Sequence, residues 1–258
     1  MKILVCIKVV PDMESRFKPS ADGAWFDEAD LAWRMNEYDE YAVEEGVRLK
    51  EKLGGDTDVT VLSIGPERVK EVVKKALAMG CDRAVHVHDD ASHKKDSFEI
   101  ASLIHSFAKD KGFEVVFTGM QSQDRGSAQV GVYLAGLLGI ACVTTIVEFA
   151  LADGAASVKR EFEGGVKAEV KSSLPALFTC QLGLNTPRYP TLPNIMKAKK
   201  KELNTVAVAD LQKADALAAT EKVFIPEKKG GAQILEGEPA ELADKLIAIL
   251  KEKTTVVK

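Results

Sequence analysis

Cysteine is scarce and scattered: Cys6, Cys81, Cys142 and Cys180 are the only four in 258 residues, and no two form a C-x-x-C pair. That spacing argues against a disulfide framework and predicts reduced thiols in a cytoplasmic compartment. Excess positive charge is also lacking. The formal net charge is −4 and basic residues cluster only locally, so no global field favours nucleic acid. No apolar run is long enough to span a membrane. The opening run, Lys2 to Val10, is far too short for that and has no small-residue cleavage site, so no signal peptide and no direct membrane insertion are expected. Internal repeats and low-complexity tracts are absent. So are the G-x-G-x-x-G fingerprint and the Lys-Ser/Thr of a phosphate-binding nucleotidase loop. No Ser/His/Asp or Cys/His arrangement is apparent, which predicts a chain without a nucleophile of its own.

What remains is a globular composition, 46% hydrophobic and 29% charged, sufficient for one sizeable core plus an appendage. Ile3 to Val10 is a continuous apolar run, as a strand buried on both faces requires. Asn36 to Leu53 has helical spacing and stops at Gly54-Gly55. A strand over Asp58 to Ile64 leads into a helix that Gly65-Pro66 opens and Gly80 closes. Further strands are predicted at Arg83 to His88 and Glu114 to Thr118, with helices at Asp96 to Lys111 and Ser127 to Leu138. This alternation predicts a doubly wound, mostly parallel α/β sheet.

After Ala141 the rhythm changes. Strands are predicted at Val143 to Phe149, Ala156 to Glu163, Val166 to Ser172 and Ala176 to Gln181, with turns at Asp153-Gly154 and Gly164-Gly165. They predict an antiparallel extension of the sheet. The segment from Asn185 to Lys201 is too rich in proline for a helix or central strand, because Pro187, Pro190 and Pro193 each fix φ and restrict the preceding residue. It presents Tyr189, Leu192, Ile195 and Met196 beside Lys197, Lys199, Lys200 and Lys201, as a stiff docking arm would. The competing reading is a connector that packs on its own domain and ends in a solvated charge run. Residues 202–222 read as an extended crossing segment, followed by a strand at Val223 to Ile225 and a helix at Pro239 to Lys253. The predicted organisation is a nucleotide-binding domain over 1–182, a partner-recognition loop over 183–202 and a C-terminal extension over 203–258.

A sheet of this kind binds ligands outside the carboxyl ends of its strands. Three segments meet there: Cys6 to Val10, Ser63-Ile64-Gly65, and the glycine-punctuated run from Thr118 to Gly131. Gly126, Ser127 and the following amides would offer backbone donors and a positive helix end to an anion, with Arg125 adding charge. A simple helix cap is the alternative there. His86 and His88 share a strand face near Asp89, Asp90 and His93, but no third metal ligand stands at fixed spacing, and strand-edge histidines are usually solvated, so no metal is expected.

Several long motifs occur together in order: Val158-Lys-Arg-Glu-Phe-Glu-Gly-Gly165, Leu174-Pro-Ala176 and the whole run Asn185 to Lys201. They are supported by Asn36 to Glu45, Ala76 to Gly80 and Gly119-Met-Gln121. On these the chain resembles the β subunit of electron-transfer flavoproteins over nearly its whole length. The resemblance implies an adenine nucleotide α-hydrolase-like fold and a heterodimer whose α subunit carries a redox-active FAD. It implies a β subunit that binds AMP structurally and docks acyl-CoA dehydrogenases, with a quinone oxidoreductase as acceptor. The implied AMP set is Cys6, Asn36, Tyr38, Asp39, Ile64, Gly65, Gly119, Ser122, Arg125, Gly126, Ser127, Ala128, Gln129 and Val130. Met13 and Tyr38 would edge the flavin, and Glu161 would pair with an arginine of the α subunit. Tyr189, Leu192, Ile195, Met196, Lys199 and Lys200 would form the dehydrogenase contact. Arg125, Ala128 and Val130 depart from the mitochondrial type, which has an acidic residue, Asn and Thr there. Ala128-Gln-Val-Gly131 is similar to the electron-bifurcating branch, which binds a second FAD in place of AMP and oxidises NADH. Glu163-Gly-Gly165 and Asn185 to Tyr189 resemble the AMP branch, which is favoured. A nucleotide-hydrolysing or adenylyl-transferring enzyme is a more distant alternative, and only Asp124 near the turn could serve it as a metal-binding carboxylate.

Overall fold

The computed structural model describes residues 1–227 and 230–255. They divide into two compact units, Met1–Val223 and Phe224–Lys258. In the larger unit, strands β1 (Lys2–Cys6), β2 (Val9–Pro11) and β3 (Trp33–Met35) precede helix α1 (Glu37–Leu53). Then come β4 (Asp58–Gly65), α2 (Val69–Met79), β5 (Arg83–His88), α3 (Ser97–Ala108), β6 (Val115–Gly119) and α4 (Val130–Leu138). The chain continues through β7 (Ala141–Ala152), β8 (Ala155–Glu161), β9 (Lys167–Ser173), β10 (Ala176–Cys180), α5 (Leu192–Ala198) and β11 (Glu202–Ala207). The smaller unit contains α6 (Pro239–Lys253), which starts with proline in its first turn and has no buried residue.

The expected α/β fold is present. One nine-stranded sheet runs β11-β5-β4-β1-β6-β10-β7-β8-β9, parallel from β11 through β7 and antiparallel over β7, β8 and β9. Residues of β1 alternate between its two faces. Ile3 and Val5 pack in one core with Val43, Val47, Val73 and Leu77 of α1 and α2. Leu4 and Cys6 pack in the other with Ala101, Ile104 and Leu134 of α3 and α4. Burial on both faces explains why this strand reads as an unbroken apolar run. From β1 the chain winds outward through β4 and β5, then returns to form β6 on the other flank of β1. The direction of winding therefore reverses beside β1, and a cleft opens at its carboxyl end.

Five expectations require correction. The run Ile3 to Val10 is two strands, because the Lys8 backbone leaves the ladder: its N–H donates to Asp39 and its carbonyl accepts from the Asn36 amide. Ala176 to Gln181 belongs to the parallel part, since β10 lies between β6 and β7. The proline-rich arm contains a helix. Pro193 falls in the first turn of α5, where its missing N–H costs nothing, and Thr191 caps that turn by accepting from Asn194 N–H at 3.4 Å. Residues 202–207 are an edge strand pairing parallel with β5, and only Leu203 and Val206 are partly covered, which hid the strand signal. No strand forms over 223–225, because Val223 N–H donates to the Gly23 carbonyl instead.

Behind the sheet, Phe117, Phe149 and Phe178 meet with ring centroids 5.1–5.8 Å apart, and Phe117 and Phe178 are fully buried. Phe117→Ala should cost roughly 3–5 kcal/mol in urea unfolding, since it opens a cavity and loses two ring contacts. A loss well under 1 kcal/mol would mean that the site collapses freely.

Candidate functional site

The cleft floor is built from the carboxyl ends of β1 and β6 and the N-terminus of α1. Asp39, in the first turn of α1, is buried and accepts two backbone bonds: from Lys8 N–H at 2.6 Å and from Gly119 N–H at 3.0 Å. Asn36, at the helix start, is 1% exposed; its amide donates to the Gln121 carbonyl at 2.8 Å and accepts from Gln123 N–H at 3.0 Å. These two side chains thus hold both central strand ends and the loop after β6 against one helix. Gly119 is required for that approach, as a Cβ there would stand 2.2 Å from the Asp39 carboxylate and 2.8 Å from Tyr38 Cβ. Burial pushes the Asp39 carboxyl up to about 7, although Asn36 and the amides of Lys8 and Gly119 pull against it.

The loop from Met120 to Gln129 forms one wall. Gly126 N–H returns to the Ser122 carbonyl at 2.8 Å, with Gly126 at φ +62° and Ala128 at φ +53°. Gln129 begins α4 without a side-chain cap, so the first amides of that helix remain for another acceptor. Lys8 meets Asp124 at 2.6 and 2.7 Å; burial lowers its pKa from the ordinary value while Asp124 raises it. Arg125 donates to the carbonyls of His93 and Lys95 and lies 5.0 Å from the Trp25 ring. It has no carboxylate partner among the described residues. Its charge faces the cleft uncompensated.

The opposite wall was not legible in the sequence. Between β2 and β3 the chain forms a strap that carries Trp25 and Glu28. Glu28 takes a two-point contact from Arg68, at 2.7 and 2.9 Å, and accepts from the Trp25 indole at 3.2 Å. Arg68 in turn stacks 3.7 Å over Trp33. The only advance signal was a pair of tryptophans in a glycine-containing loop, which does not reveal what they cover.

Of the implied AMP set, Cys6, Asn36, Asp39, Ile64, Gly119, Ser122, Arg125, Ser127, Ala128, Gln129 and Val130 line this one cleft. Tyr38, Gly65 and Gly126 are not among its lining residues. The polar atoms of Asn36 and Asp39 are already engaged within the chain, which makes those two residues clamps. Tyr38 receives a hydrogen bond from Gln121 at 3.2 Å, and Met13 is 47% exposed. Glu161 lies on the far hairpin, where its side chain has no ion pair among the described residues. Arm residues Tyr189, Leu192, Ile195, Met196, Lys199 and Lys200 are all exposed and away from the cleft. His86 is not at a solvated strand edge: it is fully buried with Nε2 2.8 Å from the Gly65 carbonyl. Among the described residues, no group of three or more His, Cys, Asp or Glu side chains could hold a metal. None of the described helices is long and apolar enough to cross a membrane.

The electron transfer flavoprotein domain matches residues 24–211 of the chain. Relatives cover almost the full length of both partners. The "Electron transfer flavoprotein subunit beta" of Bacillus subtilis is 39% identical over all of both chains. Its namesake from Methylophilus methylotrophus is 36% identical over 98% of each. That of Sus scrofa is 35% identical over 98% of this chain and 97% of its own. The chain belongs to the electron transfer flavoprotein family, as a beta subunit. The cleft is therefore a feature of a redox-carrier subunit, and a beta subunit implies an alpha subunit beside it.

Raising a carboxyl from its ordinary 3.8 to about 7 removes stability as pH climbs through that interval, because the folded state holds the proton more tightly. Asp39→Asn cannot ionise, so its melting temperature relative to the parent should shift in the variant's favour between the two values. A difference that stays constant with pH would show that Asp39 does not titrate there.

Proposed function

We propose that this chain holds AMP structurally in the cleft and docks the electron donor. The FAD lies mainly on the α subunit of the heterodimer and supplies the redox chemistry. Electrons enter from acyl-CoA dehydrogenases and leave to a quinone oxidoreductase, in the cytoplasm. The observation that carries the nucleotide assignment is one cleft lined both by apolar side chains and by anion-seeking groups. Ile64 and Ile100 supply apolar lining for a base, while the α4 amides and Arg125 supply the anion-seeking part. Asn36 and Asp39 lock the floor without contributing free polar atoms, so little reorganisation is needed on binding.

Met13 and Tyr38 would form the edge presented to the partner's flavin, and an apolar wall there limits water. Glu161, without an ion pair among the described residues, is suited to an arginine of the α subunit. Tyr189, Leu192, Ile195 and Met196 would be the dehydrogenase anchors, with Lys199 and Lys200 steering. The similarity of Ala128 to Gly131 with the bifurcating branch keeps a second flavin in view. The nucleotide released by denaturing the purified heterodimer separates the two. One flavin and one AMP supports the carrier, and two flavins would replace this reading.

Gly126→Val places a β-branched residue at φ +62° in the anion turn. It should lower AMP content and slow assembly with the α subunit while leaving the flavin potential nearly unchanged. Full AMP content with normal assembly would put the nucleotide elsewhere.

Leu192 is 78% exposed on a capped helix, where an apolar side chain has no role in this chain's own core. Truncating a docking hot spot costs about 2 kcal/mol or more. Leu192→Ala should therefore slow reduction by a cognate dehydrogenase roughly 30-fold, with reduction by a small-molecule donor, nucleotide content and melting temperature unchanged. Equal slowing with both donors would make Leu192 a folding residue instead.

A further inference from the structure

The arm is exposed along its middle and fastened at both roots. At the first root, Arg188 is spread across two glutamates of α1. Its Nε and Nη2 donate to Glu44 at 2.8 and 2.9 Å, and its Nη1 and Nη2 donate to Glu51 at 2.6 and 2.9 Å. Its backbone N–H adds a further bond to Glu44 at 3.1 Å. The Glu44 side chain is 5% exposed and the Glu51 side chain 55%. Hydrogen bonds to Glu51 and Glu44 hold the guanidinium above its already high ordinary range. At the second root, Lys201 donates to the Leu77 carbonyl in the last turn of α2 at 3.0 Å and to the Cys81 carbonyl just after it at 2.5 Å, and Ala198 is buried. Between the roots no residue from Tyr189 to Lys197 is buried.

With almost no buried apolar surface along its middle, the segment depends on the contacts at its roots for its direction. Two-point guanidinium–carboxylate contacts fix orientation as well as distance, which one point charge does not. We infer that Arg188 is a positioning residue for partner docking: fixed across Glu44 and Glu51, it sets the direction in which the exposed arm leaves α1. It touches no reacting group. By pre-ordering the arm it removes an entropy cost that binding would otherwise carry. The inference rests on the docking role proposed for the arm.

The test uses the assembled heterodimer reduced by an acyl-CoA dehydrogenase, with the flavoprotein as varied substrate. Arg188→Gln should raise KM about tenfold, with kcat and reduction by dithionite changed by less than about twofold. Arg188→Lys, which keeps the charge and loses the fork, should recover part of that loss. Limited trypsin cleavage after Lys199 and Lys200 should quicken in Arg188→Gln. If that variant does not assemble, Glu51→Gln removes only the exposed half of the contact and should raise KM about threefold. Leu192→Ala separates the two readings. An increased KM there with unchanged KM and cleavage in Arg188→Gln overturns the positioning role alone. An unchanged KM in both overturns the docking role and this inference together. Equal loss with dehydrogenase and dithionite, accompanied by a lower melting temperature, would make Arg188 merely structural.

Discussion

The carboxylate of Asp39 is the point from which the site is organised. One oxygen takes the amide of Lys8, where the central strand stops, and the other takes the amide of Gly119, where its neighbour stops. Strand ends normally present unpaired amides, and a buried amide without a partner costs roughly 1–3 kcal/mol. Here a single side chain from a helix satisfies two such groups on two strands and fixes how far apart they are. The carboxylate must itself be buried to reach them, which is why its proton affinity rises. The same close approach forces glycine at position 119. The floor of the cleft, the course of the loop after β6 and the start of α1 therefore depend on one another.

Helix α1 extends that dependence across the molecule. Its first turn holds the cleft, and further along it carries Glu44, Glu45 and Glu51, which take Arg188 and Asn185 of the arm root. Asn185 also donates to the Tyr41 carbonyl of the same helix at 3.0 Å. Burial raises the pKa of Glu45, and the Asn185 amide opposes that shift. A helix whose composition suggests a solvated acidic face instead buries Asp39, Glu44 and Glu45. One helix spans the cleft and the root of the exposed arm. Changes at either end are then constrained by the same backbone.

Much of the fold was legible because its strands are buried on both faces and its helices are periodic. Arg83 to His88 is a strand with the bounds its pattern predicts, and Pro239 to Lys253 is a helix with matching bounds. The misreadings have different causes, one of them backbone groups satisfied by distant partners. Lys8 leaves its strand for Asp39 and Asn36, thirty residues away in sequence. Pro193 reads as a helix breaker unless it falls in a first turn, and nothing local announces that Thr191 will cap it. The strand-end rule points to the end of the sheet where a cleft does lie, but the helix expected from Ser127 begins only at Val130, with Gly126 and Ser127 left in the loop before it. The charge pairs around the cleft were not legible, since Lys8–Asp124 and Arg68–Glu28 join residues 116 and 40 positions apart. A lysine inside Ile-Leu-Val-Cys-Ile-Lys-Val-Val was the one available clue, because a cation in such a run must find a partner.

Those pairs decide what the cleft presents. Lys8 is neutralised by Asp124, Lys95 by Asp89 at 2.6 Å and Arg68 by Glu28, so three of the four cations around the cleft are spent on holding its walls. Arg125 alone is held by carbonyls and an aromatic face, contacts that orient a guanidinium without cancelling its charge. Beside it the α4 amides add the positive end of a helix whose N-terminus carries no acidic residue. The same lining also includes the apolar side chains of Ile64 and Ile100. The wall-forming charges are thus paired within the chain itself and hold the cleft's shape without any ligand.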